Sequence, residues 1–166
     1  MNLLYCGGKF HFDYLREGYT DMVVEDYRAI ILGDAHMMLK ASDGIPVCEC
    51  LTYVGPFYFE SDGMVDYDIV ESEKCQIEKC TVAIFLLEDG ICPGTISEII
   101  YASTLNKRIV IYYIIDETET ESNLHSACWY PIILSQKING NNTEVIPCAN
   151  IDEAKMKIKR QVREWS

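Results

Sequence analysis

Positive charge is scarce in this sequence: 14 lysines and arginines stand against 26 aspartates and glutamates, a formal net charge of −12. A surface of that sign repels polyphosphate, so nucleic-acid polymers and anionic membranes are poor partners, while a small neutral or singly phosphorylated ligand is not excluded. Long hydrophobic runs are missing as well. The longest, 82–87 and 109–115, are less than half a membrane span. The start MNLLYCGGKF is too short in apolar residues for a secretory core, so a soluble, cytoplasmic protein is expected. Metal-ligand spacing is also lacking. There are eight cysteines but no CxxC pair, and His11, His36 and His125 stand apart from one another. Cys48 and Cys50 project to the same face of a strand, yet no second pair completes four ligands. The cysteines therefore read as reduced thiols behaving as small hydrophobes. No metal and no cofactor is expected, and there is no repeat, low-complexity tract or linker.

What is present is a packed globular composition. Of 166 residues, 49% are hydrophobic and 24% charged, enough for one core in one domain spanning residues 1–166. Leu3–Phe10 reads as a first strand running into Gly7-Gly8, followed by a helix over 12–25. The run Ala29–Leu32 reads as a short buried strand, and 36–60 as a hairpin at a sheet edge. Val65–Cys80 has helical spacing through Val65, Ile69, Val70 and Ile77, with Glu71, Glu73, Lys74 and Lys79 on its wet face. Thr81–Leu87 and Arg108–Ile115 are continuous apolar runs, as expected of strands buried on both faces, and a helix over Thr95–Asn106 joins them. Strand, helix, strand in this order is a right-handed βαβ unit. Pro131–Leu134 and Val145–Pro147 offer further strand material, with a turn at 139–142 between them. A last helix starts near Ile151 and packs through Ala154, Ile158, Val162 and Trp165, leaving Lys155, Lys157, Lys159, Arg160 and Arg163 on a solvated face. The fold class that follows is α/β: a single doubly wound domain with a mostly parallel sheet and helices on both faces.

In such a sheet, ligands bind beyond the carboxyl ends of the strands. Two of those ends are suggestive, Gly7-Gly8 and the 88–98 loop, where Pro93-Gly94-Thr95 opens a helix. Backbone N–H groups at a helix start favour a polar oxygen, and Gly94 carries no side chain to block it. Thr95-x-x-Glu98 has the spacing of a capping box, which by itself accounts for both residues. Tyr5 by itself reads as an ordinary strand residue, and Asn123 as a loop residue.

Taken together, three segments resemble the nucleoside 2-deoxyribosyltransferase superfamily. They are Leu4-Tyr5-Cys6-Gly7-Gly8-Lys9-Phe10, then Gly94-Thr95-Ile96-Ser97-Glu98-Ile99-Ile100-Tyr101-Ala102 with Asn106-Lys107-Arg108-Ile109-Val110, and Asn123-Leu124-His125-Ser126 followed by Trp129. The resemblance implies an N-glycosidic-bond enzyme in which Glu98 attacks the anomeric carbon, forming a glycosyl-enzyme intermediate, and Tyr5 orients that carboxylate. It implies a 2-deoxyribosyl transfer between nucleobases with retention, or hydrolysis of a nucleoside or nucleoside 5′-monophosphate where water is the acceptor. Nucleoside or nucleotide binding without turnover is a further reading. Gly7, Gly8, Asp89, Cys92, Gly94, Thr95 and Asn123 would contact substrate. Asn123 would reach a neighbouring subunit's pocket, which implies a homo-oligomer with shared active sites. Family members carry aspartate where this chain has Thr81 and Cys92, and a glycine where it has Ile100.

Overall fold

The computed structural model describes residues 1–8, 27–33, 44–57, 66–88, 92–114 and 129–165. The helix expected over 12–25 lies outside them. The elements run β1 (Asn2–Gly8), α1 (Ala29–Leu32), β2 (Ile45–Cys48), β3 (Leu51–Gly55), α2 (Asp66–Lys79), β4 (Val82–Leu87), α3 (Pro93–Thr104), β5 (Arg108–Ile114), α4 (Trp129–Asn139), β6 (Thr143–Cys148) and α5 (Ile151–Trp165). One six-stranded sheet has the order β2-β3-β1-β4-β5-β6. All its neighbours are parallel except β2 and β3, which form an antiparallel hairpin.

Alternation along the central strands sorts the core into two layers, because successive side chains leave a strand on opposite faces. Leu4, Cys6, Val82, Ile84, Leu86, Val110 and Tyr112 face one way and pack with Ala154, Ile158 and Val162 of α5 and Leu32 of α1. Tyr5, Ala83, Phe85, Leu87, Ile109 and Ile111 face the other way, against Ile77 of α2, Ile99 and Ala102 of α3 and Ile132 of α4. The sheet is thus doubly wound, as the apolar runs imply. The chain leaves β1 toward β3 on one side and returns to β4 on the other. The carboxyl ends of β1 and β4 therefore flank the topological switch point.

Three expectations need correction. Ala29–Leu32 is a short helix, not a strand. Its backbone is bonded locally, with the Leu32 N–H donating to Arg28 C=O at 2.9 Å, and a four-residue apolar run carries no period that separates the two conformations. Pro131–Leu134 lies inside helix α4. Pro131 is its third residue, where the missing N–H costs no helical bond. Half of the buried side of that helix is polar: Ser135 Oγ lies 2.6 Å from Ser103 Oγ of α3, and Asn139 Nδ2 donates to Lys107 C=O at 2.7 Å and to Thr143 Oγ1 at 3.0 Å. A polar seam of this kind hides helical spacing from a reading that counts apolar residues. Finally, Val70 is exposed rather than part of the buried stripe of α2.

The hairpin turns at Glu49-Cys50, and α3 begins at Pro93, two residues before Thr95. Helix α5 forms as expected and carries a reciprocal cap. Asn150 Oδ1 accepts from the Glu153 N–H at 2.9 Å, and Glu153 Oε2 accepts from the Ala149 N–H at 2.6 Å. Replacing this cap in Asn150→Ala should lower unfolding free energy by ~1 kcal/mol, read from the urea midpoint.

Candidate active site

Tyr5 is the fourth residue of β1, fully buried on the face covered by α2 and α3. Its hydroxyl donates to Oε1 of Glu98 at 2.9 Å. Glu98 reaches it from the second turn of α3, on the face that also buries Thr95, Ile99 and Ala102. The capping-box reading is therefore overturned. With Pro93 as the first helical residue, Thr95 is already inside the helix, and Glu98 is three residues too deep to return to the cap. Thr95 instead has its hydroxyl 3.0 Å from Sγ of Cys92, the residue before the helix.

The second carboxylate oxygen of Glu98, Oε2, is sealed from solvent and has no hydrogen-bond partner among the described residues. An acceptor left in that state is costly unless the group serves a purpose that needs it open. Gly7 provides the room for it. A β-carbon at that position would sit 2.5 Å from Oε2 and closer still to the Phe85 ring, so glycine is required by close approach. Gly8, with φ of 147°, would bring a β-carbon within 3.0 Å of Leu86 C=O. Gly94, by contrast, is exposed and has nothing within 4 Å of a β-carbon built there, so no described neighbour demands glycine.

The electrostatics follow from this burial. Burial first, and then the charge of Glu73, raise Glu98 from the ordinary 4.5 to about 7, against the opposing pull of the Tyr5 hydrogen bond and of Arg28. Burial likewise pushes the Tyr5 phenol well above its ordinary value, with Glu98 adding to the effect, so Tyr5 remains a donor. Glu73 of α2 is itself raised by burial, against the attraction of Arg28. Its expected place on the wet face of α2 is thus corrected: it is half-buried, and its charge acts on both Tyr5 and Glu98.

Sequence reasoning also missed Tyr27 and Arg28. Strand β1 pairs with β3 only as far as Tyr5, whereas β4 accompanies it to Gly8. At this one-sided strand end the Tyr27 hydroxyl donates to Gly7 C=O at 2.7 Å. Arg28, with no solvent exposure, donates from Nε to Cys6 C=O at 2.9 Å and from Nη2 to Gly8 C=O at 3.0 Å. A Tyr-Arg dipeptide has no sequence signature for such a role. The structure brings Tyr5, Gly7, Gly8, Cys92, Thr95 and Glu98 to the carboxyl ends of β1 and β4. Asp89 and Asn123 lie outside the described residues. Thr81, just before β4, instead ties that strand's start to β1, its Oγ1 accepting from the Leu3 N–H at 2.9 Å. Among the described residues no group of three or more His, Cys, Asp or Glu is placed to hold a metal ion, and no helix is long and apolar enough to cross a membrane.

No protein-family model and no curated protein matches the chain. Among solved structures it is similar to the CMP N-glycosidase BcmB of Clostridium botulinum, with a TM-score of 0.54 and 15% identity over 96% of this chain and 98% of that one. It is similar also to a conserved protein from Enterococcus faecalis V583, with a TM-score of 0.56 and 13% identity over 99% and 98% of the two chains. A third likeness, at a TM-score of 0.54 and 12% identity, is to translation elongation factor SelB from Methanococcus maripaludis in complex with a GTP analogue. It covers 99% of this chain but 33% of that one. These likenesses show the doubly wound fold.

The raised Glu98 has a measurable consequence for stability. A carboxyl raised on folding contributes stability that is present in full below its unfolded value and is lost as pH climbs through its folded value. The parent protein should therefore lose stability between about pH 4.5 and about pH 7. Glu98→Gln should be spared that loss. At pH 8 the variant should unfold at higher urea than the parent, by up to about 3 kcal/mol, with the difference vanishing at pH 4.

Proposed function

We propose that this protein is an N-glycosidase acting on nucleosides or nucleoside 5′-monophosphates, with Glu98 as its nucleophile. The observation that carries this reading is the Glu98 carboxylate, half engaged by Tyr5 and otherwise without a partner among the described residues, beside a glycine at the switch point of the sheet. The full-length likeness in fold to a CMP N-glycosidase supports the same chemistry.

The steps follow from what each group can do. Ionised Glu98 attacks the anomeric carbon as the bond to the base breaks, and an oxocarbenium-like centre is captured as a glycosyl ester. The Tyr5 hydroxyl holds the carboxylate in place. It keeps that role throughout because its own proton is retained. The departing base takes its proton from solvent, because Glu73, whose charge raises Glu98, is already ionised where Glu98 titrates. Glu73, ionised at that pH, takes a proton from the water that hydrolyses the ester, and configuration at the anomeric carbon is retained. In this reading Glu73 supplies a carboxylate to a site where family members carry aspartate at the positions of Thr81 and Cys92.

Transfer of a 2-deoxyribosyl group between nucleobases passes through the same intermediate, with a second base in place of water. The resemblance of Gly94–Ala102 to deoxyribosyltransferases favours it as the second reading. In either, Gly7, Gly8, Cys92, Gly94 and Thr95 border the substrate, Asp89 and Asn123 complete its pocket, and Asn123 belongs to a neighbouring subunit of a homo-oligomer in the cytoplasm.

The test is to incubate the protein with CMP, cytidine and 2′-deoxyinosine, with and without adenine, and to separate the products by chromatography. Free base without an acceptor indicates the glycosidase. Deoxyadenosine formed only with adenine indicates transfer. Absence of any product would overturn both and leave a binding protein. Glu98→Gln should lower kcat/KM by ~10³-fold or more while near-ultraviolet circular dichroism is unchanged. Because the nucleophile must be ionised, kcat/KM should rise with pH through about 7. In Tyr5→Phe, which removes a hydrogen bond that favours ionisation, that rise should move to higher pH.

A further inference from the structure

At the opposite end of β1 from Glu98, two of the eight cysteines meet. Cys48 ends β2 and Cys50 immediately precedes β3, with Glu49 alone between them, and both are half-buried. Their sulfurs lie 3.6 Å apart, in hydrogen-bond contact. The backbone fixes this corner firmly. Cys50 C=O accepts from the Asn2 N–H at 2.7 Å, beside the pairing of Asn2 with Leu51 that starts the parallel ladder. The Cys50 thiol also donates to the C=O of Trp165, at the end of α5, at 3.4 Å.

We propose that Cys48 and Cys50 form a dithiol modification site, closed to an intramolecular disulfide by a low-molecular-weight disulfide such as oxidised glutathione. Residues two apart in a chain are separated by at most ~7 Å, and a turn brings them closer, so the α-carbons are within bridging reach. The Cys50 S–H is held by the Trp165 carbonyl, which assigns the first attack to Cys48. The Cys48 thiolate attacks one sulfur of the oxidant and expels one glutathione thiolate, giving a mixed disulfide. Cys50, already in contact, gives up its proton to solvent and attacks the Cys48 sulfur, expelling the second glutathione. Two cysteine thiols are oxidised and one small disulfide is reduced to two thiols. The ring closes faster than a second glutathione can arrive, because the resolving thiol is held in place. The bridge removes the S–H donor that Trp165 C=O uses, so oxidation is also felt at the end of α5.

The internal control is Cys75, exposed on α2 and distant in sequence from the pair. The wild-type chain is treated with excess oxidised glutathione, its remaining thiols are alkylated, and its peptides are weighed by mass spectrometry. The expected result is a Cys48–Cys50 disulfide without glutathione on either residue, reopened by dithiothreitol, while Cys75 keeps its glutathione. In Cys50→Ser, the adduct should remain on Cys48. A glutathione adduct persisting on Cys48 or Cys50 of the wild-type chain, or both residues unmodified when Cys75 is modified, would overturn the proposal. The readout requires no enzymatic activity, so it is independent of the function proposed for Glu98.

Discussion

The structure around the buried carboxylate depends on one hydrogen bond, from the Tyr5 phenol to Glu98. A carboxyl withdrawn from water prefers to keep its proton, and a donor aimed at its charged form opposes that preference. Here neither side wins outright. Burial and the neighbouring Glu73 push upward, the phenol and Arg28 pull downward, and the balance falls near neutrality. The fold has to meet several conditions for this contact to exist. Strand β1 must be central, so that Tyr5 is covered. Helix α3 must start early enough for Glu98 to occupy its inner face. Position 7 must lack a side chain, since the carboxylate and the Phe85 ring fill the space one would need.

Much of that frame is legible in the residues. The runs 82–87 and 109–114 can only be strands covered on both faces, and a helix between them fixes the hand of the unit. Tyr5, Gly7 and Glu98 can be picked out by resemblance, although spacing by itself misassigns Glu98 to a cap. That error has a physical origin. The cap and the interior of a helix use the same residue types, and the first helical residue decides between them, which Pro93 does here.

What the residues conceal is whatever depends on distant parts of the chain meeting. Glu73 sits among charged neighbours and looks solvated until α2 is laid across β1. Arg28 looks like a surface residue until β3 stops short and leaves carbonyls for it to bind. The segments 29–32 and 131–134 are too short, or too polar on their buried side, for periodicity to decide between strand and helix. In α4 the buried contacts of Ser135 and Asn139 are hydrogen bonds, which hydrophobic spacing cannot register.

The clamp of Tyr27 and Arg28 on the tip of β1 has a consequence for how this architecture can vary. A strand tip in a parallel sheet ordinarily owes its shape to the neighbours on both sides, so altering either neighbour disturbs it. Here side chains substitute for the missing strand, and the tip's carbonyls are held by a guanidinium and a phenol. Among the described residues, the shape of that tip is therefore tied to Tyr27 and Arg28 rather than to β3. Changes at the end of β3 leave the floor beneath the carboxylate in place, whereas changes at Tyr27 or Arg28 do not.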